Sequence, residues 1–307
     1  MRFCLLLLAL LLPVPLAQAA CEGREISQGL QEGPVCIPQA PKRIVTLDPL
    51  ITLGFLIEMG APVVGTPYMA IQDETVLKTV KEQGMADLGN PKEPSLERVA
   101  ALKPDLIIGS AEVHGQIYAQ ASRIAPTLLF KHMDWKAYQA LLAEVTNRQE
   151  IAGKQRAAYE QRAAAIRARM AEKPLTVSAV RLAPGRFVVF VDGPQAYAPY
   201  AVLHEAGVRR TPYETVTDDT IVKRPDWEEL ANLEGDVLLY VVASGFDSGP
   251  DDALEKEVTA NPLWQLLPAV HKGRAHRVDR DAWQSFHGIA SAQRILDDVE
   301  RYVLDAR

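Results

Sequence analysis

Apolar and polar positions fall into two blocks of one design, set on either side of a long polar helix. Residues 95–108 read S-L-E-R-V-A-A-L-K-P-D-L-I-I and residues 226–239 read D-W-E-E-L-A-N-L-E-G-D-V-L-L. The two register without a gap, so Glu97 falls on Glu228, Leu102 on Leu233 and Asp105 on Asp236. In each copy a capping residue, Ser95 or Asp226, opens a short helix, a two-residue turn closes it, and an unbroken apolar run follows. Such a run predicts a strand buried on both faces. A second echo pairs R-I-V-T-L-D at 43–48 with R-F-V-V-F-V-D at 186–192. Each leads into a helix that ends in Glu58-Met59-Gly60 or Glu205-Ala206-Gly207. Between the blocks, residues 150–172 are mostly Ala, Arg, Gln and Glu, strong helix formers that would span roughly 33 Å. Lys173-Pro174 stops this helix, because proline disfavours the helical conformation in the residue before it. Its apolar stripe, Ile151, Tyr159, Ile166 and Met170, is narrow, so most of its surface is expected to face water.

Smaller signals fill in the plan. Asp48-Pro49 starts a helix after the strand at 43–47, Asp134 caps another running toward Thr146, and Asn261 caps a third. Residues 25–27 and 35–37 are arms of a hairpin, and the strand at 175–182 turns at Pro184-Gly185 and returns at 187–191. An amphipathic helix over 290–304 closes the chain. The pattern predicts an α/β protein with two Rossmann-like lobes, residues 20–147 and 174–307, each with a mainly parallel sheet, joined by a single bridging helix over 148–173.

Composition adds compartment and excludes some partners. At 307 residues the chain is long enough for two cores. A formal charge of −6, with no Lys/Arg cluster interleaved with aromatics, argues against nucleic acid. Arg2, an apolar run over 3–12 and Ala17-Gln18-Ala19 form an export signal, residues 1–19, and place the mature chain in the periplasm. Once Cys4 leaves with the signal, Cys21 and Cys36 remain, an even pair that favours a disulfide in an exported chain. The alternative is a lipid on Cys21. Nucleophile-elbow, phosphate-loop, dinucleotide and zinc-protease motifs are absent, and His114, His132, His204, His271, His276 and His287 are scattered. No catalytic residue, resident metal or cofactor is therefore expected.

P-K-R-I-V-T-L-D at 41–48, E-P-S-L-E-R-V-A-A-L-K-P-D-L-I-I-G at 93–109, N-P-L-W-Q-L-L-P-A-V-H-K-G-R-A-H-R-V-D at 261–279 and a final S-A-Q-R-I-L-D-D resemble the periplasmic iron-siderophore binding proteins of ABC importers. Within that group the similarity is to the ferric-citrate-binding type, over nearly the whole mature chain. The resemblance implies two α/β lobes bridged by one helix, a ferric siderophore held between them, and delivery to an inner-membrane ABC permease by a monomer. It implies that Glu97 and Glu228 dock onto permease arginines. It places the ligand at strand ends, where Tyr68, Lys92, Arg181, Tyr197, Tyr200, Arg224 and Trp283 are candidates, cations and aromatic faces that suit anionic or flat chelates. One departure is informative. Gly89-Asn90-Pro91-Lys92 puts proline where relatives for anionic siderophores carry arginine, and lysine lacks the planar fork that grips a carboxylate. That points away from ferric citrate and toward a larger or less charged siderophore. The same fold serves cobalamin, haem or a metal ion as alternative cargoes, and an exported α/β enzyme using the interlobe cleft is the alternative of another class.

Overall fold

A computed structural model describes residues 21–131, 133–173, 175–245 and 248–305, so the export signal and His132 lie outside the described residues. The first sheet has five strands, all parallel, in the order Ala86–Asp87, Val63–Thr66, Ile44–Thr46, Leu106–Ser110, Thr127–Phe130. Its central strands are Ile- and Val-rich and buried on both faces, as a sheet covered by helices on each side requires. The chain starts in the middle, builds outward to one side, then crosses to the other. That reversal falls between Ile44–Thr46 and Leu106–Ser110, and open α/β sheets bind ligands at the carboxyl ends of such a pair.

The second sheet runs Val222–Lys223, Arg186–Phe190, Thr176–Ala183, Val237–Val242, Ala275–Arg277, with Arg209–Arg210 beside the start of Thr176–Ala183. Three of its five pairings are parallel, as expected of a mainly parallel sheet, and the two made by Arg186–Phe190 are antiparallel. The Pro184-Gly185 turn is the cause: two residues can reverse a chain but cannot carry it back to a parallel start. The same hairpin corrects the second echo. Thr176–Ala183, not Arg186–Phe190, occupies the place of Ile44–Thr46, since Val177 pairs Val237 as Ile44 pairs Leu106.

The gapless repeat holds in detail. Asp105 accepts hydrogen bonds from the backbone N–H groups of Lys42 and Arg43 at 2.7 and 2.9 Å, and Asp236 accepts from the N–H of Thr176 at 3.0 Å. In both lobes an aspartate just ahead of one strand thus ties down the entry to its neighbour. The capping residues also act as expected, Ser95 on the N–H of Arg98 and Asp226 on those of Glu228 and Glu229, although the second helix is a 3-10 turn, Glu229–Asn232.

The helix Gln149–Met170 lies between the lobes in sequence and buries a stripe of Ala152, Tyr159, Ala163, Ile166 and Met170, while Ile151 is exposed. Arg162 and Arg169 pair with Asp297, Glu300 and Asp305, where the helix Ile289–Val299 widens into a π-helical turn, Glu300–Leu304. Near the start, Cys21 and Cys36 are disulfide-bonded across the hairpin Arg24–Ile26/Val35–Ile37, as their pairing in the sequence favours.

Several contacts cross between lobes. Phe286 packs on Phe55 and Trp135 of the first lobe. Gly54 faces the backbone of His287 so closely that a Cβ there would stand 2.1 Å from the His287 carbonyl oxygen. Two glutamates at matching helix ends reach across in opposite directions. Glu58, last residue of Thr52–Glu58, accepts from the N–H groups of Ile289 and Ala290 at 2.9 and 2.7 Å. Glu205, last residue of Ala198–Glu205, pairs with Lys136 at 2.6 Å and accepts from Tyr159 Oη at 2.8 Å.

Candidate ligand-binding cleft

Two chambers open between the lobes, at the carboxyl ends of strands. The larger, about 510 Å³, is bordered from the first lobe by Asp48, Ser110, Glu112, Phe130, Lys131, Asp134, Trp135 and Tyr138, and from the second by the loop 193–198 and Phe286. The smaller, about 280 Å³, is bordered by Leu50, Ala70 and Gln72 on one side and Arg181, Gly245, Arg280, Gln284 and Ser285 on the other. Tyr197 stands between them. It borders the larger chamber, stacks on Phe190 at 5.1 Å between ring centroids, and its Oη donates to the carbonyl of Gln284 at 2.7 Å. Burial raises the Tyr197 pKa, so it remains a phenol and a donor.

The polar lining is held before any ligand arrives. Asp48 follows the strand Ile44–Thr46 and accepts from the N–H groups of Leu50, Ile51 and Thr52, which fixes the turn at the switch point. Glu112 follows Leu106–Ser110 and accepts from Ser110 Oγ at 2.8 Å, and Asp134 caps the helix Trp135–Thr146 through Lys136 and Ala137. In the smaller chamber Arg280 pairs with Asp251. Arg181 Nη2 donates to the carbonyl of Ala243 at 3.0 Å, while its buried Nε has no acceptor. Burial, helped by the charge of Arg186, lowers the Arg181 pKa. An acceptor or an anion brought to it would relieve that cost.

Of the residues singled out in the sequence, Tyr197 and Arg181 border these chambers. Tyr200 and Trp283 do not. Both are core residues at 1% exposure, meeting edge to face at 5.8 Å, with the indole N–H of Trp283 donating to Asp298. Tyr68 leaves its strand at the carboxyl end but turns back on its own lobe, its hydroxyl donating to the carbonyl of Met85. Lys92 and Arg224 are exposed and border neither chamber. Glu97 and Glu228 are exposed at helix starts, one in each lobe. Asp48, Glu112, Lys131 and Asp134 are not among the ligand candidates of the sequence, where Asp48 and Asp134 figure only as helix caps. Each directly follows a predicted strand or opens the next helix, the one signal by which they were findable.

The family profile described as periplasmic binding protein matches residues 60–282. The chain belongs to the periplasmic binding protein family. This family member is 29% identical over 287 residues to the probable siderophore-binding lipoprotein YfiY of Bacillus subtilis, covering 88% of this chain and 85% of that one. It is 26% identical over 285 residues to the Fe(3+) dicitrate-binding periplasmic protein FecB of Escherichia coli, covering 88% and 87%. In fold it resembles the crystal structure of Staphylococcus aureus SirA complexed with staphyloferrin B, with a TM-score of 0.77, 22% identity, and coverage of 91% of this chain and 98% of that one. Two lobes, each built on a sheet with parallel strands, are thus the architecture of this periplasmic binding protein, and its overall fold is shared with that neighbour. Among the described residues no cluster of His, Cys, Asp or Glu is placed to hold a metal ion.

Proposed function

We propose that this chain is an exported receptor that captures a ferric siderophore between its lobes and delivers it to an inner-membrane ABC permease. It acts by binding and release, without catalysis. The observation that carries the reading is a chamber of about 510 Å³ at the strand switch point, bordered from both lobes, in a periplasmic binding protein. Its volume suits a drug-sized chelate, for which clefts of about 300–1,000 Å³ are usual. The names of the relatives, siderophore- and ferric-dicitrate-binding, support the cargo, and the disulfide supports an oxidising compartment such as the periplasm. In this reading residues 1–19 are the removed signal, 148–173 bridge two lobes, Tyr197 and Arg181 contact cargo, and Glu97 and Glu228 contact the permease.

Trp135 borders the larger chamber and makes intrinsic fluorescence the natural test. Titrating the mature protein with ferric and iron-free siderophores is expected to show saturable quenching by at least one ferric complex at micromolar affinity or tighter. Binding of cobalamin, haem or free iron alone would keep the fold and overturn the cargo, and turnover of any ligand would overturn the binding-only mechanism.

Docking is tested separately. Replacing Glu97 and Glu228 together by Ala removes two exposed charge pairs worth up to about 1 kcal/mol each, and import by cells is expected to fall roughly tenfold with cargo affinity unchanged. Full import by the double variant would remove the docking role, and weakened cargo binding would reassign both residues to the cleft.

A further inference from the structure

The two chambers differ in charge, and that difference narrows the class of siderophore, given that the cleft is the siderophore site. The smaller presents Arg181 and Arg280 and no carboxylate among its bordering residues. The larger presents the carboxylates of Asp48, Glu112 and Asp134 against the single ammonium of Lys131, among the described residues. Its walls are aromatic, with Phe130, Trp135, Tyr138, Tyr197 and Phe286. Aromatic faces carry negative potential and attract cations, most strongly where water is excluded. Carboxylates rimming such walls repel an anionic chelate and reward a positive group. Two of the three are already oriented by backbone N–H groups, so little reorganisation opposes their use.

A second observation points to a ligand in the same place. Trp135 is 4% exposed, borders the larger chamber, and its indole N–H is buried without an acceptor. A buried donor left unpaired is costly, and a carbonyl or hydroxamate oxygen of a bound chelate would satisfy it. The chamber therefore offers an acceptor-seeking donor beside an acidic rim, and the neighbouring chamber a half-buried guanidinium whose buried Nε has no acceptor.

We propose that the cargo is a ferric siderophore bearing a protonated amine, with the cationic arm seated among the aromatic walls and carboxylates of the larger chamber and the chelate oxygens turned toward Trp135 and Arg181. The complex as a whole is neutral or positive, not a polyanion of the citrate type.

A matched pair of ligands tests this. The mature protein is titrated with a linear ferric trihydroxamate carrying a terminal ammonium and with the same complex acetylated at that nitrogen. The ammonium form is expected to bind about tenfold tighter. Asp134→Asn, which keeps the helix cap because asparagine caps as well as aspartate, and Glu112→Gln are each expected to shrink that ratio. Equal affinity for the pair, tighter binding of the acetylated form, or a ratio unmoved by both variants would overturn the proposal. Binding of ferric catecholates or ferric citrate with neither hydroxamate would overturn it too while leaving the receptor reading in place. Binding of no ferric complex at all would overturn both.

Discussion

Replacing Glu214 by Ala is expected to cost about 3–5 kcal/mol of folding stability, the range for removing one partner of a fully buried ion pair. Glu214 is 0% exposed and pairs with Arg210, whose side chain is 1% exposed. Its two oxygens also accept from the N–H of Ala179 at 2.8 Å and from Thr211 Oγ1 at 2.8 Å. Arg210 in turn donates to the carbonyls of Val177 at 3.1 Å and Phe190 at 3.2 Å, and its guanidinium lies 5.6 Å from the Tyr200 ring centre. The pair therefore ties the central strand Thr176–Ala183 to the returning strand Arg186–Phe190 from the side where the sheet changes from parallel to antiparallel pairing. Truncation to Ala would leave a buried cation without its counter-charge and a buried N–H without an acceptor. Urea denaturation of the purified variant measures the cost. The double change Arg210→Met with Glu214→Leu is expected to recover only part of the loss, because it removes the uncompensated buried charge but leaves the Ala179 N–H, the Thr211 hydroxyl and the Val177 and Phe190 carbonyls without these partners. A single-variant loss under about 1 kcal/mol would mean that water reaches the pair, and the tie would then be incidental.

The sequence and structure agree where local chemistry decides the outcome and part where three-dimensional juxtaposition does. Asp105 and Asp236 were legible as one position written twice, since a capping carboxylate before an apolar run acts on backbone groups of its own lobe. Cys21 and Cys36 were legible from compartment and count. The bridging helix was legible from propensity and the proline behind it, and Tyr159, Ile166 and Met170 of its expected stripe are buried; only Ile151 gives way to Ala152, its neighbour about 100° around the helix. Aromatic residues were the least legible part of the site. Tyr197 and Tyr200 lie one helical turn apart and both stack on Phe190, but one borders the cleft and the other is sealed in the core. Nothing in their types distinguishes them. Trp135 and Phe286 come from opposite lobes and meet only because the segment around His287 crosses to Gly54. Asp48 and Glu112 follow strands that are distant in sequence but lie side by side in the sheet, Ile44 against Leu106.

The stability of this protein is expected to carry a component that declines as pH rises from about 4.5 to about 7, set by Glu58. Desolvation under the N-terminus of Ile289–Val299 raises its pKa from 4.5 to about 7, against the opposing pull of the Ala290 and Ile289 N–H groups and of Arg294. In the unfolded chain the carboxyl loses its proton near 4.5, whereas the folded protein keeps it until about 7. The folded state thus binds the extra proton throughout that window, and stability falls with increasing pH across it. At about 1.4 kcal/mol per unit, this group contributes roughly 2–3 kcal/mol between the ends of the window. Asp281 and Asp298, both raised to about 6 by burial, act in the same direction, and His287, lowered by burial, acts in the opposite one. Comparison with Glu58→Gln cancels these. Glutamine keeps one oxygen acceptor for the helix and cannot ionise, so the variant is expected to lose stability relative to the parent at pH 5 and to recover by roughly 2–3 kcal/mol at pH 8. Because Glu58 spans from the helix Thr52–Glu58 to the start of Ile289–Val299, the same titration loosens or tightens one of the ties between lobes. Chemical denaturation of both proteins across pH 5–8 decides it. A difference that stays constant with pH would mean the carboxylate is ionised throughout, held by the two N–H groups against its burial.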